Sequence, residues 1–547
     1  MSAPAILALP PHRRHKARIR RRAGHVALHE TGTVEAVAAR IVGGRVGGLF
    51  WRPLDARLAA WLGAVEGDIC AIVCRDPANL QVLLDICARA CPGPILLVAP
   101  NISASDWPHH ARFDEKSDPW PLIDRVSTVC CDDPERVFVQ LAALAGRRIV
   151  AVEKGRVRHA ETATVAERAV ACLRTDWRYV SPYDGLDWSL DQMLDYLVRW
   201  REVAGRTAGV GAMFGIAGWK RRRIRQFLIG SPDAPCLSDV EEARRVEGAV
   251  AAWPSRTDIA ALERLRGGDS VWRVEDGFIR SAGLGAALVQ PCSIVLDKRG
   301  IYYDPARPGD LDMLLQTASI DAELAARAAA LIAQIRTNGA TKYNLGGKRV
   351  DLPADRHIIL IAGQVADDLS VIAGGGGISF AQIVSAARRE NPCSFIIFKP
   401  HPDVVAGLRD GEWREPAIAA DADLVLADGA THDLLERVDA VHVLSSLLGF
   451  EALLRGRRVS VYGQPFYAGW GLTDDRGAAQ ERSRPLSLEQ LVAATLILYP
   501  LYADPRTGLP CSPEHLLVAL ADMPPRSRIR SLVARLVAKS RKWNKYR

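Results

Sequence analysis

Nowhere in the 547 residues do about eighteen apolar residues run uninterrupted, so the plain signature of a membrane-spanning helix is missing. Residues 1–22 hold no apolar core followed by a small-residue cleavage site, and no secretory signal is expected. No motif recurs at a fixed period of roughly 20–50 residues, which argues against a solenoid. Cysteine is sparse: eleven residues, an odd number scattered through the chain, read as reduced thiols rather than a disulfide framework. Cys70, Cys74, Cys87 and Cys91 could in principle supply four thiolates to zinc, but their strand and helix spacing reads first as small buried apolar side chains.

Acidic residues are missing from two places. Residues 13–22 and 526–547 contain seven and nine Lys or Arg and no Asp or Glu. Without those sixteen of the 71 basic residues, 55 face 63 acids, so the net +8 belongs to the ends and the body is acidic. In the C-terminal stretch Ile529, Leu532, Val533, Leu536, Val537 and Trp543 recur at helical spacing between Arg, Lys and Ser. An apolar face adds nothing to phosphate-backbone binding, so this pattern fits a helix lying on an anionic membrane surface better than a nucleic-acid patch.

With 48% apolar residues the chain can bury a large interior, and its length calls for two or three domains. After a basic arm at 1–24, residues 25–185 alternate apolar runs (DICAIVC, PILLVAP, RRIVAVE) with helix-like segments, the rhythm of an accessory α/β domain with parallel strands. Residues 186–207 read as a helical connector, and 208–228 as a glycine-punctuated strand, a basic turn and a helix. Two further α/β units follow at 208–345 and 355–505, before the basic amphipathic tail at 506–547. Two such halves make a doubly wound pair whose ligands lie at the carboxyl ends of the strands.

FIIFKPHP puts Lys399 and His401 just past a strand end, where they could neutralise a phosphate; a surface turn with incidental polar groups is the alternative. Ser445 and Ser446 end the AVHVL strand and open a helix, a place for an anion or an ordinary N-cap. His442, inside that strand, reads as a core residue. AGGGGIS (373–379) has neither a P-loop ending nor GxGxxG spacing, and is expected to be a mobile segment at the cleft.

The stretch VEDGFIRSAGLG (274–285) spends many constrained positions on one bend. Glu275 and Asp276, with Asp304, Asp367 and Asp368, are the carboxylates available for glycosyl chemistry, in which one serves as nucleophile and another as acid or base. Neighbours on a regular strand point opposite ways, so Glu275 and Asp276 are expected to share a site only if the strand has ended before them. The glycines are expected to let the backbone approach a substrate, with Phe278 fixing the carboxylates.

Taken in order, EDGFIRSAGLG, DKRGIYYDPARP, KYNL, GQVADD, FKPHPDV, SSLLGFEALLRG and YGQPFYAGWGLTDD resemble the capsule polysaccharide biosynthesis family, the KpsC-type retaining β-Kdo glycosyltransferases of Gram-negative bacteria, over about residues 208–515. The resemblance implies an α/β, GT-B-like pair of Rossmann-type halves with an additional N-terminal α/β domain. It implies transfer of 3-deoxy-D-manno-octulosonic acid (Kdo) from CMP-Kdo to a lipid-linked Kdo acceptor, with β configuration retained. Lys399, His401, Ser445, Ser446, Glu451 and Gln464 would surround CMP; Asp276 would be the nucleophile and Glu275 the acid/base. Arg280 would pair with the sugar's carboxylate, and Tyr302, Asp304, Gln364 and Asp368 would line the substrate site. No cofactor or metal is implied, because CMP leaves with a single phosphate. The expected place is cytoplasmic, peripheral at the inner face of the inner membrane through the basic tails, with capsule synthesis or export proteins as partners and no nucleic acid. Another nucleotide sugar as donor, or a non-catalytic polysaccharide-binding or export subunit, are the competing readings. The family usually carries two transferase modules in tandem, whereas one full motif set is present here, and 25–185 could be a degenerate module, an acceptor-binding domain or unrelated.

Overall fold

The computed structural model describes residues 6–10, 18–21, 32–91, 93–99, 111–153, 156–158, 161–281, 289–340, 349–405, 415–427, 429–477 and 482–523. The amphipathic tail at 526–547, the KYNL block, the glycines at 283 and 285 and most of the N-terminal basic run lie outside the described residues. The chain divides into two compact units, Met1–Arg206 and Thr207–Arg547.

The first unit carries a six-stranded sheet in the spatial order Ala111–Phe113, Ile95–Val98, Ile69–Val73, Val126–Cys131, Arg148–Glu153, Arg156–Arg158. Every neighbouring pair is parallel except the last. Ile69–Val73 is buried at all five positions, as a strand at the centre of a parallel sheet must be. Part of the basic arm is also structured: Arg18–Arg21 pairs antiparallel with Trp177–Val180.

The second unit holds eleven described strands, numbered here in chain order: β1 (Val210–Phe214), β2 (Ala249–Ala252), β3 (Val271–Asp276), β4 (Ser293–Asp297), β5 (Ile358–Ala362), β6 (Phe395–Lys399), β7 (Leu424–Val425), β8 (Ala440–Val443), β9 (Arg458–Val461), β10 (Asp474–Asp475) and β11 (Leu501–Tyr502). They form two sheets, β1-β2-β3-β4-β11 and β7-β6-β5-β8-β9-β10. The second is parallel throughout; in the first, β4 runs antiparallel to both β3 and β11. β11 comes from the far end of the described chain, so the segment that leaves the second sheet returns to complete the first.

Arg223 fastens that return. Its Nε donates to the Pro291 carbonyl at 2.7 Å, and its Nη atoms donate to Ala503 at 2.8 Å and Asp504 at 3.2 Å. The basic turn expected within 208–228 is in fact the opening of helix α1 (Gly218–Phe227). Lys220, Arg223, Ile224 and Phe227 are buried along it, at i, i+3, i+4 and i+7, so two of its cations belong to the inward face. The sequence WKRRR reads as a basic turn until the helical period is applied.

Candidate functional site

A cavity of about 710 Å³ opens at the carboxyl ends of strands from both sheets of the second unit. That is the position expected for ligands in open α/β sheets, and the volume falls within the roughly 300–1,000 Å³ typical of ligand pockets. From the first sheet come Glu275 and Asp276 at the end of β3, with Trp219 and Lys220 of α1 and Ser255 and Arg256 beyond β2. From the second come Gln364 and Asp368 beyond β5, Lys399 and His401 at the end of β6, and Ser445, Ser446 and Glu451 beyond β8. Tyr302 and Tyr303 also line it.

β3 does not end before the carboxylates. Glu275 pairs with Val295 and Asp276 with Ile294 across the antiparallel β4 ladder. Both nevertheless line the cavity, because the longer Glu275 side chain folds back along the strand and accepts the Asp276 backbone N–H at 2.9 Å. That N–H is available because the β2 ladder on the other edge of β3 reaches only Arg273. The sharing of one site thus comes from side-chain length, not from termination of the strand.

Asp276 is held from two sides. The Lys220 ammonium lies 3.1 and 3.3 Å from its two oxygens, and Arg280 Nε donates to Oδ2 at 2.6 Å. Lys220 also sits 3.7 Å over the face of Trp253. Burial pulls its pKa below the ordinary value, against the opposing charges of Asp276 and Glu275. Arg280 is wholly buried, with Nη1 on Ser281 at 2.8 Å and Nη2 on the Val289 carbonyl at 2.9 Å. It stands behind Asp276 and is not part of the cavity wall, unlike the direct substrate contact expected of it.

The bend after β3 is constrained by packing. A Cβ on Gly277 would sit 2.4 Å from Ser293 Oγ, so the glycine serves close contact with β4 rather than approach to a substrate. Phe278 anchors the bend from the other side: its ring lies 4.9 Å from Tyr302 and 5.0 Å from Phe466, a residue that follows β9 in the second sheet.

On the opposite wall, Lys399 is largely buried and donates to the Gly429 carbonyl at 3.1 Å. His401 Nδ1 accepts the Asp403 backbone N–H at 3.1 Å, which puts the proton of a neutral ring on Nε2. Gln364 and Ser445 are joined twice: the Ser445 N–H donates to Gln364 Oε1 at 2.9 Å, and Gln364 Nε2 donates to Ser445 Oγ at 3.2 Å. Asp368 caps helix α2 (Leu369–Gly374) through the Ser370 N–H, and the Ser370 hydroxyl donates to the same oxygen at 2.9 Å. Ser446 is an N-cap, accepting Leu448 N–H at the start of the seven-residue helix Leu447–Leu453.

Three expected site residues stand outside the wall. The Asp304 carboxylate accepts the Ala306 N–H at 3.0 Å and closes a local turn. Gln464 is half-buried, its backbone N–H on the Gly374 carbonyl at 2.8 Å. Arg280 is the third. The AGGGGIS segment is not at the cavity either: Gly376 and Gly377 take φ of +62° and +76° to link α2 to helix α3 (Phe380–Glu390), whose N-cap is Ser379. His442 is a core residue, 3% exposed, with Nδ1 3.2 Å from the Tyr462 hydroxyl.

The first unit brings Cys70, Cys87 and Cys130 together, their sulfurs all within 4.8 Å of one another. Cys74 and Cys91 are not in this group, and Cys130, from the neighbouring strand, replaces them. The three thiols are fully buried among Ile72, Leu83, Leu97 and Val150, which is how small apolar side chains pack in a core. Among the described residues no helix is long and apolar enough to cross a membrane.

A family model described as capsule polysaccharide biosynthesis protein matches residues 249–344 and 324–502. The lipopolysaccharide-processing protein LpsZ of Rhizobium meliloti is 37% identical over 336 residues, 58% of this chain and 76% of that one. The capsule polysaccharide modification protein LipA of Neisseria meningitidis serogroup A is 37% identical over 337 residues, 60% of this chain; the match spans about half of LipA, 48% of its length. Among solved structures, the KpsC beta Kdo 2,4 transferase of Thermosulfurimonas dismutans superposes with a TM-score of 0.51 at 29% identity, covering 57% of this chain and 98% of that one. The family model spans the whole cavity lining except Trp219 and Lys220, and with the 37% identity to LpsZ over 76% of that protein the chain belongs to the capsule polysaccharide biosynthesis protein family.

Proposed function

We propose that the protein is a glycosyltransferase that moves Kdo from CMP-Kdo to a lipid-linked acceptor, with retention of β configuration, on a GT-B-like pair of halves formed by the two sheets of the second unit. One observation carries the proposal: two carboxylates, Glu275 and Asp276, share a single cavity with a lysine and a histidine, Lys399 and His401, presented by the other sheet. The Kdo transferase of T. dismutans supports the choice of sugar.

Asp276 attacks the anomeric carbon of Kdo as the bond to the CMP phosphate breaks, and the electron pair leaves with the phosphate. Lys399 and the Nε2–H of His401 take up that charge. Because the leaving group carries one phosphate, these donors suffice and the reading calls for no divalent metal. Gln364, Ser445, Ser446 and Glu451 frame the nucleotide, the last offering a carboxylate to ribose hydroxyls. In the second step the acceptor hydroxyl attacks the same carbon, its proton passes to Glu275, and the ester to Asp276 breaks to restore the carboxylate. Two inversions give net retention. The clamp of Lys220 and Arg280 holds Asp276 in one orientation, as a crowded tertiary centre requires.

The acceptor is a glycolipid, and the protein works at the cytoplasmic face of the inner membrane, held by its basic ends. Incubation of the purified chain with CMP-Kdo and a Kdo-terminated lipid analogue tests the reading: CMP release with a lengthened acceptor is the expected result. Turnover of UDP-sugars and not CMP-Kdo would overturn the donor assignment, and inactivity with every nucleotide sugar would favour a binding subunit.

A further inference from the structure

The carbon that Asp276 attacks in a 2-keto sugar acid carries the sugar's carboxylate one bond away. That carboxylate must therefore come to rest beside Asp276, in a part of the cavity where the available cation decides whether it is tolerated. Arg280 is excluded, since it is wholly buried and each of its three nitrogens is hydrogen-bonded within the protein. Arg256, Lys399 and His401 also line the cavity, but it is Lys220 that touches both oxygens of Asp276 and is fixed over the Trp253 ring, where the carboxylate must come to rest.

Resting on the proposed transfer of a sugar acid, we propose that Lys220 binds the donor's anomeric carboxylate and selects 2-keto sugar acids over neutral sugars. The charge count explains why. In the free protein, Lys220 and Arg280 share the negative charge of Asp276, with Glu275 alongside. When Asp276 bonds to the anomeric carbon, the bond to phosphate breaks and the negative charge departs with the nucleotide, so the new ester is neutral. Two buried cations would then have lost their shared counter-ion, a costly state in a low-dielectric site. A sugar acid restores the balance with its own carboxylate, which on binding shares the three-donor Lys220 ammonium with Asp276 and holds it alone once the ester has formed. A neutral aldose brings nothing to replace it. When the acceptor displaces the ester, the electron pair returns to Asp276 and Lys220 returns to its original partner as the product leaves.

The test uses the full chain in three forms: wild type, Lys220→Met and Lys220→Arg. Binding of 2-deoxy-Kdo and of its carboxamide is measured calorimetrically with saturating CMP, alongside CMP affinity itself and turnover of CMP-Kdo. Wild type is expected to bind the acid at least tenfold tighter than the amide. Lys220→Met should lose that preference while CMP affinity stays within about threefold, and Lys220→Arg, which keeps the charge, should retain it. Equal binding of acid and amide by wild type, or an unchanged preference in a folded Lys220→Met, overturns the assignment of Lys220. Failure of wild type to turn over CMP-Kdo despite a clear preference for the acid would instead sink the donor reading and leave the carboxylate site standing.

Discussion

Arg280 Nε lies 2.6 Å from Asp276 Oδ2, and the guanidinium is wholly buried while the carboxylate faces the cavity. One member of the pair is placed for chemistry and the other for support. Removing the support leaves a buried charge with one partner fewer, so Arg280→Met is expected to lower the free energy of unfolding by about 3–5 kcal/mol, read by chemical denaturation.

Asp276→Asn keeps the shape and one acceptor oxygen for both cations. It is expected to remain folded and to bind CMP within about tenfold of wild type, roughly 1.4 kcal/mol. Transfer should fall by on the order of 10⁴ or more, because the nucleophile is gone. Normal transfer by this variant would remove Asp276 from the mechanism.

Glu275 is needed only when the acceptor's proton must move. With Glu275→Gln, the first step should still release CMP in a burst stoichiometric with enzyme, while steady transfer drops about 10²–10⁴-fold. Rapid-quench measurement of CMP separates the two; loss of the burst would assign Glu275 to the first step instead.

Lys399 and His401 serve the phosphate. Lys399→Met or His401→Gln should weaken CMP roughly tenfold to a hundredfold, the worth of one charge-assisted hydrogen bond, and leave the affinity for cytidine unchanged. Isothermal titration with the two ligands checks this, and an equal loss for both would place these residues at the nucleoside.

Burial pushes the His442 imidazole down to about 4. The folded protein therefore keeps it neutral, whereas the unfolded chain takes up a proton below about 6.5. Its contribution is present above the unfolded value and drains away as pH falls from about 6.5 towards 4, by up to roughly 1.4 kcal/mol per unit. His442→Leu should flatten this part of the stability profile in denaturant titrations at pH 7, 6, 5 and 4.5, and an unchanged slope would contradict it.

Much of this was legible in the residues. The apolar runs IILIA, SFIIFK and AVHV announce strands, and Lys399, His401, Ser445 and Ser446 follow strand ends where an α/β sheet gathers its ligands. Lys220 was read into a basic turn, since only the helical period turns it inward, and its pairing with Asp276 spans 56 positions that no local pattern connects. Gly277 misled because a glycine spent on backbone approach and one spent on a tight contact, here with Ser293, look identical in sequence. Glu275 misled for a different reason: strand alternation describes where Cβ points, and a long side chain can turn back on its own backbone.

Intact-protein and peptide mass spectrometry of Glu275→Gln quenched after mixing with CMP-Kdo tests the covalent step most directly. The expected result is a Kdo adduct that accumulates without acceptor, decays when acceptor is added, and maps to Asp276. An adduct confined to another residue, or continued transfer with no adduct detectable at any time, would contradict it.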